Sequence, residues 1–219
     1  QMLKLGAVNE KDYVIDLGSG DGIIVLTAAR SFKAGGMGID IDPDLVRQSN
    51  ASAQKSGVAD RVKFVQMDVF KADLSKASVL TLYLLPGMMM NLRSKIFTEL
   101  KPGVRVVSHD YHFGDWSPDD SIGFDVPEKE AITGVPRATL YKWIVPAKVA
   151  GTWTTPNGAL TLAQNFQTVT GTLGTQAVQG MLNGAQISLT AGTQKWAGTV
   201  EGNTIKFTSP SAMTATKKQ

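Results

Sequence analysis

The sequence of 219 residues has no cysteine. This excludes disulfides and thiolate metal sites and leaves the compartment open. Histidine is scarce too: His109 and His112 are the only two, so a metal site would need a carboxylate such as Asp110 or Asp115 as a third ligand, and none is expected. No apolar run is long enough to span a bilayer, so stable membrane insertion is not expected. A dense basic patch interleaved with aromatics is also missing. The net charge is +3, and the lysines scatter except for Lys217 and Lys218, which argues against a nucleic-acid partner. What charge there is divides unevenly: residues 147–219 hold five lysines against one acid, Glu201, while the remainder is slightly acidic. The sequence starts at Gln1, and "QMLKLG" reads as the tail of a helix.

What is present falls into two grammars. Up to about Pro146, strand-like and helix-like segments alternate. Strands are expected at Tyr13–Leu17, Gly36–Ile41, Val62–Gln66, Val79–Leu85 and Val104–His109, and helices at Ile23–Phe32, Asp44–Ser56 and Asn91–Leu100. Such alternation predicts an α/β fold, a Rossmann-like parallel sheet with helices on both faces. Thr139–Val145 reads as a late strand that joins it antiparallel. Beyond Pro146 the helix patterns stop. Thr, Gly, Asn and Gln dominate, and turn signals at Pro156-Asn157-Gly158, Asn183-Gly184 and Gly202-Asn203 separate short strands. The expectation is a domain of residues 1–146 followed by a small antiparallel β-barrel or sandwich of residues 147–219. A weak echo, "VAGTW", "VTGTL", "WAGTV", reads as repeated strand-and-bend geometry. Trp153 and Trp196 are read as its core.

The chemistry is concentrated in "YVIDLGSGDGIIVLTAAR". A strand ends at Asp16, a glycine loop follows, and a helix begins. A dinucleotide site would want G-x-G-x-x-G, but Ile23 stands where the third glycine belongs, and Asp21 would repel a pyrophosphate. Carboxylates on both sides of the loop suit a cationic ligand. S-adenosylmethionine carries an ammonium and a sulfonium and no phosphate. A second acid, Asp40 in "GIDIDP", is placed to grip ribose hydroxyls, and a third, Asp68 in "VQMDVF", to reach the adenine.

These strings, with "TLYLLP" and "LKPGVRVVSHDYHFGDW", resemble the class I S-adenosylmethionine-dependent methyltransferases, over roughly Leu5 to Val145. Within that class they look closest to the branch of protein-lysine methyltransferases that includes the archaeal broad-specificity enzyme and the one acting on the membrane-ring (c) component of ATP synthase. The resemblance implies that Asp16, Gly18, Ser19 and Gly20 bind the methionine part, Asp40 the ribose, and Asp68 with Val69 the adenine, with Asp21 and Ile41 in the same cofactor-facing set. Tyr83 to Pro86 would lie where the methyl acceptor sits. The continuation "LPGMMMNLR" departs from the pattern, which often has an acid and an asparagine there.

The expected function is N-methylation of a protein lysine side chain, with Tyr83, His109 and Asp110 as candidate catalytic residues. A lysine acceptor has to lose its proton, and an apolar, aromatic wall favours that loss. Two alternatives stay open: methylation of a small-molecule acceptor with the β-domain closing the pocket, and a non-catalytic S-adenosylmethionine-binding or scaffolding protein. The cofactor is made in the cytoplasm, which favours that compartment. The Thr/Asn/Gln-rich tail resembles secreted β-domains, which favours the envelope. No feature of the sequence specifies an oligomeric state.

Overall fold

The computed structural model describes residues 1–218. They form two compact units, one of residues 1–100 and 104–143, the other of residues 101–103 and Ile144 onward. No helix among the described residues is long and apolar enough to cross a membrane.

The first unit holds a sheet of seven strands: β1 (Tyr13–Leu17), β2 (Gly35–Asp40), β3 (Val62–Gln66), β4 (Val79–Leu82), β5 (Arg105–His109), β6 (Asp120–Asp125) and β7 (Arg137–Ile144). Their order is β3-β2-β1-β4-β5-β7-β6. The pairings among β1 to β5 are parallel, and β6 and β7 are antiparallel. The helices are α1 (Met2–Leu5), α2 (Ile23–Phe32), α3 (Pro43–Lys55), α4 (Pro86–Glu99) and α5 (Pro127–Thr133). "VLTL" of β4 is buried throughout, as a parallel strand covered on both faces should be. Val25, Leu26 and Ala29 of α2 pack with Ala53 of α3 and with Val62 and Phe64 of β3. At the amino end of the sheet, the Asp12 carboxylate accepts a hydrogen bond from Ser78 Oγ and pairs with the Arg105 guanidinium, which ties three neighbouring strands together.

Besides α5, where no helix is expected from the sequence, three elements differ by more than two residues from the sequence expectation. β4 stops at Leu82 instead of Leu85, so Tyr83 lies just past the strand. α4 begins at Pro86, ahead of the expected Asn91. The fixed φ of proline suits a first helical position, and Leu85 before it is extended. The methionine run is therefore helical, with Met89 fully buried and Met90 exposed. β6 is the third difference. "DSIGFD" is too polar to read as a strand, but it lies at the sheet edge, where only Ile122 and Phe124 are half-buried.

The second unit is a closed barrel. β8 (Gly151–Thr155), β9 (Gly158–Asn165), β10 (Thr168–Leu173), β11 (Gln176–Asn183), β12 (Gln186–Ala191), β13 (Gln194–Glu201), β14 (Thr204–Ser209) and β15 (Met213–Lys217) run as a meander that β15 and β8 close. Each strand alternates inward apolar and outward polar residues. Turns lead with Gly174, Gly184, Gly192 and Gly202 at φ near +60°, which two-residue hairpins require. Trp153, Trp196, Ile205 and Phe207 fill the interior with the aliphatic residues. The residual cavity beside Trp196 is about 10 Å³, so the barrel is packed and does not form a cup. Two of the three glycines of the echo mark close approaches of adjacent strands. A Cβ on Gly171 would collide with the Thr161 carbonyl oxygen, and one on Gly198 would lie 2.6 Å from that of Lys206.

Gly171→Ala should therefore destabilise the barrel by about 1–3 kcal/mol through forced backbone displacement, visible as a melting point lowered by several degrees. Thr172→Ala, on the exposed face, should stay within about 0.5 kcal/mol of the parent. Equal melting of the two variants would contradict the crossing geometry.

Candidate active site

The strand order reverses between β1 and β4, which opens a crevice at their carboxyl ends. The candidate residues meet along this edge. Asp16 is the penultimate residue of β1 and only 2% exposed. Thr81, its register partner on β4, donates from Oγ1 to the Asp16 carboxylate at 2.6 Å. Burial pushes the Asp16 pKa up to about 7 despite that bond, and the nearby Asp40 and Asp21 carboxylates push in the same direction. Thr81 is the one polar residue in β4. Its presence in an otherwise apolar strand is the one sequence signal for this bond, and the motif reading passes over it.

Gly18, Gly20 and Gly22 all adopt positive φ, which lets the chain turn sharply from β1 into α2. The space beside Gly20 is open, with nothing within 4 Å of a Cβ placed there, whereas Gly18 and Gly22 press on Leu84 and Phe64. The Gly18 and Ser19 N–H groups donate to the Ile39 carbonyl of β2 at 2.9 and 3.0 Å. Asp40 holds the loop from the other side: its Oδ2 accepts from Gly20 N at 2.8 Å and its Oδ1 from Asp42 N at 3.0 Å. Ser19 Oγ is buried and has no hydrogen-bond partner among the described residues.

The other candidates divide. Asp21 accepts from Ile23 N at 3.1 Å and lies exposed at the start of α2. Asp42 is simply the N-cap of α3, accepting from Asp44 and Leu45. Asp68 accepts from Phe70 N and opens a short turn after β3 in which Val69 is buried. Ile41 and Phe70 stand exposed beside these acids at the same edge.

On the neighbouring strand ends, the Tyr83 ring lies 4.2 Å from that of His109, centroid to centroid. Tyr83 is 53% exposed, so it does not belong to the core. Asp110 follows His109 with φ at 64° and brings Oδ2 to 3.0 Å from His109 Nδ1. That approach lies off the ring N–H direction, so it is an electrostatic contact and leaves Nδ1 without a hydrogen bond. Burial lowers the His109 pKa, and the Asp110 carboxylate offsets only part of this. His112 is turned away, its Nδ1 accepting from Gly114 N and its ring edge on Tyr141. Lys129 of α5 reaches Asp110 Oδ2 at 2.5 Å, a contact that no local sequence signal announces.

The family model for the ANTKMT methyltransferase domain matches residues 16–120. A protein-lysine N-methyltransferase of Saccharolobus islandicus is 39% identical over 123 residues, which cover 56% of this chain and 76% of the relative. The chain belongs to this methyltransferase family. The adenine nucleotide translocase lysine N-methyltransferase of Mus musculus is 33% identical over 110 residues, which cover 50% of this chain and 48% of the relative. Among solved structures, an RNA methyltransferase of Salinibacter ruber in complex with S-adenosyl-L-homocysteine is 47% identical, with a TM-score of 0.61, covering 68% of this chain and 90% of that one. The chain is thus an S-adenosylmethionine-dependent methyltransferase. Its own residues fit that cofactor. A buried carboxylate awaits a cation, a serine hydroxyl lacks a partner, and the open side of Gly20 admits a ligand.

The burial of Asp16 has a measurable cost. A carboxyl whose folded pKa is raised gives stability that is fully present below its unfolded pKa and is lost as pH rises through about 7. Asp16→Asn keeps the shape and removes the titration. Without ligand, it should melt above the parent at pH 8, by up to about 4 kcal/mol in stability, and match it near pH 4. An unchanged difference across that range would show that Asp16 is not held protonated by burial.

Proposed function

We propose that the chain N-methylates lysine side chains of a protein substrate. Residues 1–146 would carry the reaction and residues 147–219 form a separate module, a division that the two compact units support. In this reading Asp16, Gly18, Ser19, Gly20 and Asp21 hold the methionine part of the cofactor, Asp40 and Ile41 its ribose side, and Asp68 with Val69 its adenine. The bound cofactor supplies a methyl group on a sulfonium sulfur, ready for in-line displacement. Asp16 then meets a cation and ionises, so cofactor binding releases a proton near neutral pH.

The observation that carries the acceptor assignment is the pairing of Tyr83 with a His109 kept neutral by burial. A lysine ammonium must give up a proton before its lone pair can attack, and a neutral imidazole at the strand ends can take it. Tyr83 offers an aromatic wall that disfavours the charged amine, and its hydroxyl can orient the lone pair. Charge supports a cationic acceptor. From Asp110 to Glu130 there are seven carboxylates and one lysine. Asp110, Asp115 and Asp120 pair with Lys129, Arg93 and Lys142, and the acids beyond these pairs leave the segment net acidic, which disfavours a phosphate backbone over an ammonium. The relatives named for lysine methylation agree with this reading, and the neighbour named as an RNA methyltransferase supplies the competing one.

The test is methyl transfer from labelled cofactor into a cell lysate. Label should appear on protein and survive as methyl-lysine after hydrolysis. Label confined to RNA or to the small-molecule fraction would overturn the assignment. Tyr83→Phe should cut turnover by roughly ten- to a thousandfold at unchanged cofactor affinity and unchanged melting. Equal turnover would remove the hydroxyl from the mechanism.

A further inference from the structure

The carboxylate of Asp110 is shared among three elements. Its Oδ1 accepts from Thr139 N of β7 at 3.1 Å, and its own N–H donates to the Thr139 carbonyl at 2.7 Å. Its Oδ2 faces both His109 Nδ1, at 3.0 Å, and Lys129 Nζ, at 2.5 Å. Lys129 Nζ also donates to the Arg137 carbonyl at 2.8 Å, which fixes the ammonium at the start of β7. An aspartate alone beside a histidine would favour the imidazolium form. Here a cation lies against the same oxygen and offsets part of that pull.

We propose that Lys129 is a positioning residue for methyl transfer: by clamping Asp110 it keeps His109 neutral, the form able to accept the proton of the acceptor amine. This rests on the reading of His109 as the proton acceptor. Burial opposes ionisation of Asp110, but the Lys129 ammonium and the Thr139 N–H outweigh it, so the carboxyl stays charged below its usual range. On His109, burial and Lys129 both disfavour the charged form, against the pull of Asp110. Other groups facing His109 add little charge. Tyr83 covers its ring. From α1, α2, β6 and β7, Leu3, Ile24, Thr27, Phe124 and Leu140 border the same opening and are uncharged.

The experiment compares Lys129→Met, which keeps the stem and removes the charge, with Lys129→Arg, which keeps the charge. Two readouts are taken on the full chain: the imidazole titration by NMR, assigned with His109→Gln, and the acid limb of the pH–rate profile. Lys129→Met should raise the His109 pKa and move the acid limb upward together, by about one pH unit, with cofactor affinity unchanged. Lys129→Arg should restore both. A His109 titration that does not move in Lys129→Met overturns the role of Lys129 and leaves His109 in place. A titration that moves while the acid limb stays put removes His109 as proton acceptor, and the role of Lys129 with it.

Discussion

Asp16 is a carboxyl group almost wholly removed from water, at the carboxyl end of a central parallel strand, and much of the first unit is arranged around it. Left alone it favours its neutral form, because no cation among the described residues touches it and two further carboxylates stand nearby. Thr81 supplies the one short hydrogen bond it has from a side chain. The glycine loop can pass directly over this site because its residues tolerate positive φ, and Asp40 ties the loop to the neighbouring strand. In the proposed reading, a cationic ligand entering beside Gly20 relieves the accumulated negative potential. The apo protein therefore carries electrostatic cost that cofactor binding can recover.

The same sheet separates strength from function along its strands. At the amino ends, Asp12, Ser78 and Arg105 join β1, β4 and β5 through fully paired polar groups. At the carboxyl ends, groups are left under-satisfied: the Ser19 hydroxyl, His109 Nδ1 and the exposed Tyr83, Ile41 and Phe70. Buried polar groups are normally paired, so the unpaired Ser19 and His109 atoms agree with the proposed binding of ligands at this end. In the barrel, Trp196 Nε1 is also buried without a hydrogen-bond partner among the described residues. The barrel interior is filled by side chains, its turns use residues suited to them, and its outward face is polar.

Much of this is legible in the residues themselves. β1, β3 and α2 keep the bounds read from apolar pattern and glycine punctuation, because buried parallel strands and a glycine-capped helix leave strong local signals. The three acids at successive strand ends are readable for the same reason. The hairpin turns of the barrel are legible from Asn183-Gly184 and Gly202-Asn203, while barrel closure is not, since β15 meets β8 across more than fifty residues of sequence. Lys129 is invisible because its partner, Asp110, is nineteen residues away, beyond an edge strand too polar to recognise. Thr81 escapes notice because a threonine in a strand is ordinary, and its role appears only with the Asp16 register.

The central claim is that the carboxylate-lined glycine loop selects a cationic, phosphate-free cofactor. Calorimetric titration of the full chain at neutral pH with S-adenosylmethionine, S-adenosylhomocysteine and NAD tests it most directly. Micromolar-range binding of the first two and no detectable heat with NAD is the expected result. Preferential binding of NAD would contradict the electrostatic reading of Asp16, Asp21 and Asp40.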